Sequence, residues 1–206
     1  MICIYQADSN QVRKDKALNN LLLDLPENMH ERANRYKFEE DAYNFVLGRL
    51  LLKKGLTALG KEDQFEHIQY HESGKPLLED VFFNISHTEN LVVCALSTKG
   101  EIGIDIEKVK QVKLIDFESW FTKTEWAEIY NSPAPLQKFY WYWTRKESII
   151  KALGVNLAYL HKIEIDPTKD HFIENGKKWW LKDVDFGTGF SGALCSEHPI
   201  IGLKLT

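Results

Sequence analysis

One pattern occurs twice in this chain, and it constrains the fold more than any other feature. Cys94-Ala95-Leu96-Ser97, a short turn and Gly103-Ile104-Asp105-Ile106-Glu107 are echoed by Ala193-Leu194-Cys195-Ser196, a short turn and Gly202-Leu203-Lys204-Leu205-Thr206. Each copy is a strand of small and apolar residues, a turn and a Gly-led strand. Each follows, further upstream, a Leu/Ile-rich helix carrying Arg or Lys: Arg49–Lys54 in one case, Arg145–Lys151 in the other. The repeat distance, Ala95 to Ala193, is far longer than a solenoid unit. We therefore expect an α+β chain of two similar halves in a pseudo-twofold pair, 1–100 and 101–206. The copies are not equivalent in chemistry. Asp105 and Glu107 fall where the second copy has Lys204 and Thr206, so only one copy can hold a metal.

Composition narrows the function classes. The 206 residues are 44% hydrophobic and 27% charged, ordinary values for a globular protein with a core. A formal net charge of −4 argues against general nucleic-acid affinity, because phosphate neutralisation needs a basic excess. No apolar run approaches the roughly 20 residues of a membrane helix. Met1-Ile2-Cys3-Ile4-Tyr5 lacks a basic flank and reads as a first strand rather than a signal peptide. Cys3, Cys94 and Cys195 are widely spaced among apolar neighbours, which suits buried free thiols in a reducing cytoplasm.

Local signals give the coarse layout. Glu31–Leu59 reads as a helical region, with Gly60 as its stop. Phe65–Tyr70 reads as a short strand, the stretch from His71 to Pro76 as a turn, and Val81–Ile85 as extended. Leu91–Leu96 has the length of a buried strand, and Ile102–Glu107 should be its hairpin partner across Ser97–Glu101. Lys113–Ile129 is helical in pieces, broken by Pro133 and Pro135. Leu136–Leu153 is a strong helix ended by Gly154. Short strands follow at Lys162–Ile165, Lys178–Leu181, Ser191–Cys195 and Ile200–Leu205.

Several short motifs carry chemistry. Asp105 and Glu107 sit two apart on a strand and project together, while Ile104 and Ile106 face the core. Adjacent carboxylates repel unless they meet a cation or water, and oxygen-only ligands suit Mg²⁺ or Mn²⁺. Glu147 and Lys151 are four apart on a helix and share a face with Trp143, an aromatic that marks a covered face. Ser86 and His87 follow a strand and suit phosphate through hydroxyl, imidazole and backbone N–H groups. The bland readings are a strand end in solvent, a surface ion pair and a capping turn. Arg32, Arg35, Lys37, Arg49, Lys53 and Lys54 interleave with Glu39, Glu40 and Asp41, as on a solvated helix face.

The order of these motifs is more specific than any one of them. Gly-Lys-Pro (74–76), Phe-Asn-Ile-Ser-His (83–87), Gly-Ile-Asp-Ile-Glu (103–107), Phe-Thr-Lys-Thr-Glu (121–125) and Trp-Thr-Arg-Lys-Glu-Ser-Ile-Ile-Lys (143–151) occur in succession. This resembles the 4′-phosphopantetheinyl transferases, of the larger surfactin-synthetase-activating type. The resemblance is close over 74–154 and extends upstream over Glu39 to Arg49.

The resemblance implies a two-half fold with one site at the seam of a monomer. It also implies transfer of the phosphopantetheine arm of coenzyme A to a serine of an acyl or peptidyl carrier protein, with release of 3′,5′-ADP. By the same likeness Asp105, Glu107 and Glu147 would bind Mg²⁺ or Mn²⁺, and Glu147 and Lys151 would be catalytic. Lys75, Ser86 and His87 would contact the nucleotide, and Arg32 is the best candidate among the early basic residues. The first half would supply the nucleotide contacts and the second the metal ligands and catalytic helix. Phe121–Glu125 would lie near the carrier-binding surface. No nucleic-acid or membrane partner is expected, and the cytoplasm is the expected location. Two other classes use the same residues: a coenzyme A or carrier-binding module without catalysis, and a metal-dependent phosphohydrolase.

Overall fold

The computed structural model describes residues 1–71 and 74–206, so Glu72 and Ser73 of the expected turn lie outside it. The chain opens with β1 (Ile2–Asp8), α1 (Ser9–Asp15), α2 (Leu18–Leu22), α3 (Glu27–Ala33) and the long α4 (Glu39–Ala58). It continues through β2 (Gln69–Tyr70), β3 (Pro76–Leu77), β4 (Phe82–Thr88) and β5 (Leu91–Ser97). Then come β6 (Ile102–Lys108), α5 (Lys123–Tyr130), α6 (Pro135–Leu153), β7 (His171–Glu174), β8 (Lys177–Asp183), β9 (Phe190–Ser196) and β10 (Leu203–Leu205).

Two larger sheets organise these elements, ordered β10-β1-β5-β4 and β6-β9-β8-β7. Helix α4 covers the first, where Val46, Leu47 and Leu52 pack with Tyr5, Phe83 and Leu96. Helix α6 covers the second, where Phe139, Tyr142 and Ile149 pack with Trp179, Leu181 and Cys195. A third apolar cluster combines strands of both sheets: Ile2, Ile4 and Ala95 with Ile102, Ile104, Ile106 and Leu194. The architecture is the expected α+β arrangement, with one helix-covered sheet on each side of a shared core.

The expected hairpin does not form. Strand β6 pairs antiparallel with β9, placing Asp105 opposite Ala193. It cannot pair with β5, because β1 and β4 already occupy both edges of that strand. The turn after β9 is likewise a crossing, since β10 returns to pair parallel with β1 and sets Lys204 beside Cys3. The echo is therefore real as a pair of sheet-to-sheet crossings, but its register changes the comparison. Ile2 and Ile4 share the inter-sheet core with Ile102 and Ile104. The counterparts of Asp105 and Glu107 are thus Tyr5 and Ala7, not Lys204 and Thr206. Tyr5 is packed in the core with α4, so the first half has no acid pair at that place.

Other expectations are corrected by packing. The helical region 31–59 divides at 34–38, and α4 begins afresh with Glu39, Glu40 and Asp41 favourably placed at its positive end. A 3₁₀ turn takes Glu62–His67, leaving only Gln69–Tyr70 as strand. Another takes Leu157–Lys162, and Ile163 and Ile165 anchor the chain in the core instead of forming a strand. Pro135 starts α6 rather than breaking a helix, because the first helical position needs no N–H. Gly154 ends α6 with φ 69°, as expected. Cys94 and Cys195 are buried free thiols, pushed above the usual thiol range by burial, whereas Cys3 is only half-buried.

Gly103 explains how the second sheet and its helix come so close. A Cβ there would lie 2.1 Å from the Ser148 carbonyl oxygen and 2.4 Å from the Ala152 nitrogen. Backbone cannot yield as a side chain can, so any larger residue would push α6 away from β6. The residues at 105 and 107 share this face of the strand.

Candidate active site

The close approach at Gly103 sets Asp105 of β6 under Lys151 of α6. The Lys151 ammonium donates to Asp105 Oδ1 at 2.6 Å and to Ser86 Oγ at 3.0 Å. Ser86 itself donates to the same carboxylate oxygen at 2.9 Å. Asp105 is almost fully buried, and its second oxygen, Oδ2, has no protein partner. A buried carboxylate oxygen without a donor is costly, and it is what a cation would satisfy.

β4 is stitched to β6 by side chains rather than by a backbone ladder. Asn84 Oδ1 accepts from the Ile104 N–H at 2.9 Å, and Thr88 Oγ1 accepts from the Lys108 N–H at 3.0 Å. Thr88 Oγ1 also donates to Glu107 Oε2 at 3.1 Å. The polar residues of Phe-Asn-Ile-Ser-His thus hold the acid-bearing strand at the seam of the two sheets. Sequence patterning gave no hint of this role for Asn84 and Thr88.

The Asp105 charge acts on both Glu107 and Glu147. Burial, and then the Asp105 charge, raise the Glu147 carboxyl to about 7; Lys151 opposes this and Glu107 adds to it. Burial and Asp105 also push Glu107 above the usual carboxylate range, against Thr88 and Lys151. Among the described residues no three acidic, His or Cys side chains already form an ion cage, and Lys151 is the cation that Asp105 contacts. His87, the exposed residue between Ser86 and Thr88 on β4, feels this cluster electrostatically. Shielding of its ring, followed by the Lys151 ammonium, lowers its pKa, while Asp41 and Asp105 pull the other way.

This arrangement has a consequence for stability. The folded Glu147 carboxyl holds its proton up to about pH 7, whereas an unfolded one releases it near its ordinary value of 4.5. Stability should therefore fall as pH rises from about 4.5 to 7 and then level off. Discounted for its residual exposure, the effect is about 1–3 kcal/mol. Glu147→Gln should remove most of that slope, as measured by urea unfolding at pH 5 and pH 8. Parallel slopes in the two proteins would show that Glu147 is not strained.

Other residues singled out in the sequence make contacts within the protein. Lys75 donates to Glu101 Oε2 at 2.5 Å and to the Ala152 carbonyl at 2.7 Å, so its ammonium ties the loop to the end of α6. Arg32 donates to the Tyr70 hydroxyl at 3.1 Å and stacks over Phe45. Trp143 is covered by protein, packed against Phe117 and Phe139. Phe121 and Glu125 belong to the core rather than to a surface, leaving Lys123 and Thr124 of that segment exposed.

Lys146, next to Glu147 in the motif, is fully buried and points to a different neighbour of α6. It forms a 2.7 Å ion pair with buried Glu125 and donates to the carbonyls of Trp120 and Ile163. Glu125 closes a capping box with Thr122 and also accepts from the Ile165 N–H. The five-residue spacing of two lysines around one glutamate was visible in the sequence, but only the packing separates the buried lysine from the half-buried one.

The chain is similar to known proteins along most of its length. A family model described as the 4′-phosphopantetheinyl transferase superfamily matches residues 101–194, and one described as 4′-phosphopantetheinyl transferase, N-terminal, matches residues 13–99. The chain is 33% identical over 185 residues to the 4′-phosphopantetheinyl transferase HetI of Nostoc sp., an overlap of 82% of this chain and 77% of that protein. It is 31% identical over 181 residues to the 4′-phosphopantetheinyl transferase Sfp of Bacillus subtilis, with 82% and 80% covered. A third relative, the 4′-phosphopantetheinyl transferase gsp of Aneurinibacillus migulanus, is 37% identical over 124 residues, covering 58% of this chain and 52% of the relative.

Proposed function

This chain belongs to the 4′-phosphopantetheinyl transferase superfamily, and from that premise we propose how its residues carry out the transfer. The enzyme moves the phosphopantetheine arm of coenzyme A to a serine of a carrier protein. The serine oxygen attacks the phosphorus bearing the pantetheine arm. A new P–O bond forms, the bond to the nucleotide oxygen breaks, and 3′,5′-ADP leaves.

Glu147 takes the serine proton, since a hydroxyl is a weak nucleophile until its proton is leaving. Lys151, one turn further along α6, stabilises the charge that collects on the departing ADP oxygen. Ser86 and His87 hold phosphate oxygens at the end of β4. The observation that carries this reading is the convergence of Asp105, Ser86 and Lys151 across the seam, beside a glutamate whose charge burial and Asp105 penalise.

Asp105, Glu107 and Glu147 would hold a Mg²⁺ or Mn²⁺ ion, and the partnerless Asp105 Oδ2 fits an oxygen-seeking cation. Such an ion supplies charge neutralisation of the diphosphate when bound. Both halves lie on one chain and β10 closes back on β1, which supports a monomer as the working unit. We place the enzyme in the cytoplasm, where buried free thiols persist. No helix among the described residues is long and apolar enough to cross a membrane. The domain division 1–100 and 101–206 remains part of this proposal; the second sheet opens with β6 at Ile102.

Intact-protein mass spectrometry tests the reading. An apo carrier protein incubated with coenzyme A, Mg²⁺ and this enzyme should gain the mass of one phosphopantetheine. An unmodified carrier with phosphate released would point to a hydrolase. An unmodified carrier with coenzyme A bound and intact would point to a binding module.

A further inference from the structure

β4 turns a polar side chain to the seam at every second residue, and β6 meets each one with a backbone N–H. Asn84 Oδ1 accepts from Ile104, Ser86 Oγ from Ile106 and Thr88 Oγ1 from Lys108, each time at an offset of 20 residues. Two of the three are hydroxyls, and each donates its own proton to a carboxylate 19 residues on. Ser86 donates to Asp105 Oδ1, and Thr88 donates to Glu107 Oε2. Both acids are thus held by one oxygen. Asp105 has a second holder in Lys151. Among the described residues Glu107 accepts a hydrogen bond from Thr88 alone.

Glu107 needs such a holder. Its side chain has three torsions to fix, which costs entropy. Burial and the Asp105 charge both penalise its ionised form, so a carboxylate left to itself would turn toward water or take up a proton. The Thr88 hydroxyl opposes this with a defined direction. A hydroxyl carries one proton and two lone pairs, and the Lys108 N–H occupies a lone pair, which leaves the proton for Oε2. Thr88 is itself held. It is 7% exposed, and the turn that follows is pinned from two sides. Asn44 of α4 donates to the Glu89 carbonyl at 3.2 Å, and Asn90 donates to Asp8 Oδ2 at 2.7 Å. Between them Glu89 stands at φ 46°, a conformation that persists only where its surroundings impose it.

We propose that Thr88 is a positioning residue for the divalent cation: it holds Glu107 in place as a ligand, so that the first half of the chain sets the metal affinity of the second. This rests on the reading of Asp105, Glu107 and Glu147 as the ligands, but it concerns a residue outside that set. Carboxylate ligands are themselves hydrogen-bonded in metal sites, and losing such a partner weakens metal binding by about 10- to 100-fold.

Mn²⁺ titrated into the protein in the presence of coenzyme A, followed by the EPR signal of free Mn²⁺, tests this. Thr88→Val keeps the shape of the side chain but loses the hydroxyl, and should bind Mn²⁺ about 10- to 100-fold more weakly than wild type. Thr88→Ser restores the hydroxyl and should stay within about threefold of wild type. Carrier modification by Thr88→Val should recover toward wild-type turnover as Mn²⁺ is raised, a shift in metal requirement that a loss of fold stability alone would not produce. Thr88→Ala replaces the Val variant if that one does not fold. Wild-type Mn²⁺ affinity in a folded variant without the hydroxyl, with Glu107→Gln weakened, overturns this assignment alone. If Glu107→Gln also binds like wild type, the metal reading falls with it, and carrier modification by the wild type decides the transferase reading separately.

Discussion

Glu147→Gln is expected to lower the turnover of carrier modification by about 10²–10⁴-fold, the range of a lost general base, and Lys151→Ala to lower it by a comparable factor. The two substitutions fail for different reasons. Glutamine keeps the shape of Glu147 but cannot accept the serine proton. Alanine at 151 removes the ammonium that now bonds Asp105 and Ser86, so charge on the departing nucleotide oxygen is left uncompensated. Both side chains are half-buried at the seam and neither belongs to the apolar cluster under α6, so neither change opens a cavity in the core. Circular dichroism should therefore remain that of the wild type, and coenzyme A should still bind. Carrier modification followed by mass spectrometry gives the rates. A Glu147→Gln enzyme that keeps more than about a tenth of wild-type turnover would remove Glu147 from the proton transfer.

Glu125→Gln or Lys146→Met is expected to destabilise the fold by about 3–5 kcal/mol, because each leaves the other charge buried and unpaired. The pair is 2.7 Å apart with side-chain exposures of 0% and 1%, so water cannot take over for the missing partner. Its bonds also bind separate segments together. Glu125 ties the start of α5 to Ile165, and Lys146 ties α6 to Trp120, Leu160 and Ile163. Losing that much from a total of about 5–15 kcal/mol would leave a marginal protein. Urea unfolding at pH 7 measures the loss. The double variant Glu125→Gln/Lys146→Met should lose less than the sum of the single changes, since no lone charge remains. Single variants within about 1 kcal/mol of wild type would mean that the pair contributes no more than a surface bridge.

Much of the candidate site was legible because it rests on local rules. Alternation put Asp105 and Glu107 on one face of a strand, and helical spacing put Glu147 and Lys151 on one face of α6. Gly154 announced the end of that helix. The pairing of strands was not legible in the same way. A hairpin and a crossing between sheets have the same turn residues, and what excluded the hairpin was the occupation of both β5 edges by β1 and β4. The polarity of a lysine was equally uninformative about its place. Lys146 and Lys151 differ only in which side of α6 they occupy, and Arg49 reads as a surface cation until its helix is laid on the sheet, which leaves it 7% exposed.

Taken alone, the order of residues determined which candidate side chains share a face and the family to which the chain belongs. Those properties follow from backbone periodicity and from motif spacing within short stretches. The meeting of Asp105 with Lys151, the assignment of Lys146 and Glu125 to the core, and the burial of Arg49 were decided only by tertiary packing. Each depends on contacts between segments far apart in the chain, and the close approach of α6 to a strand that has no side chain at Gly103 brings Lys151 onto Asp105.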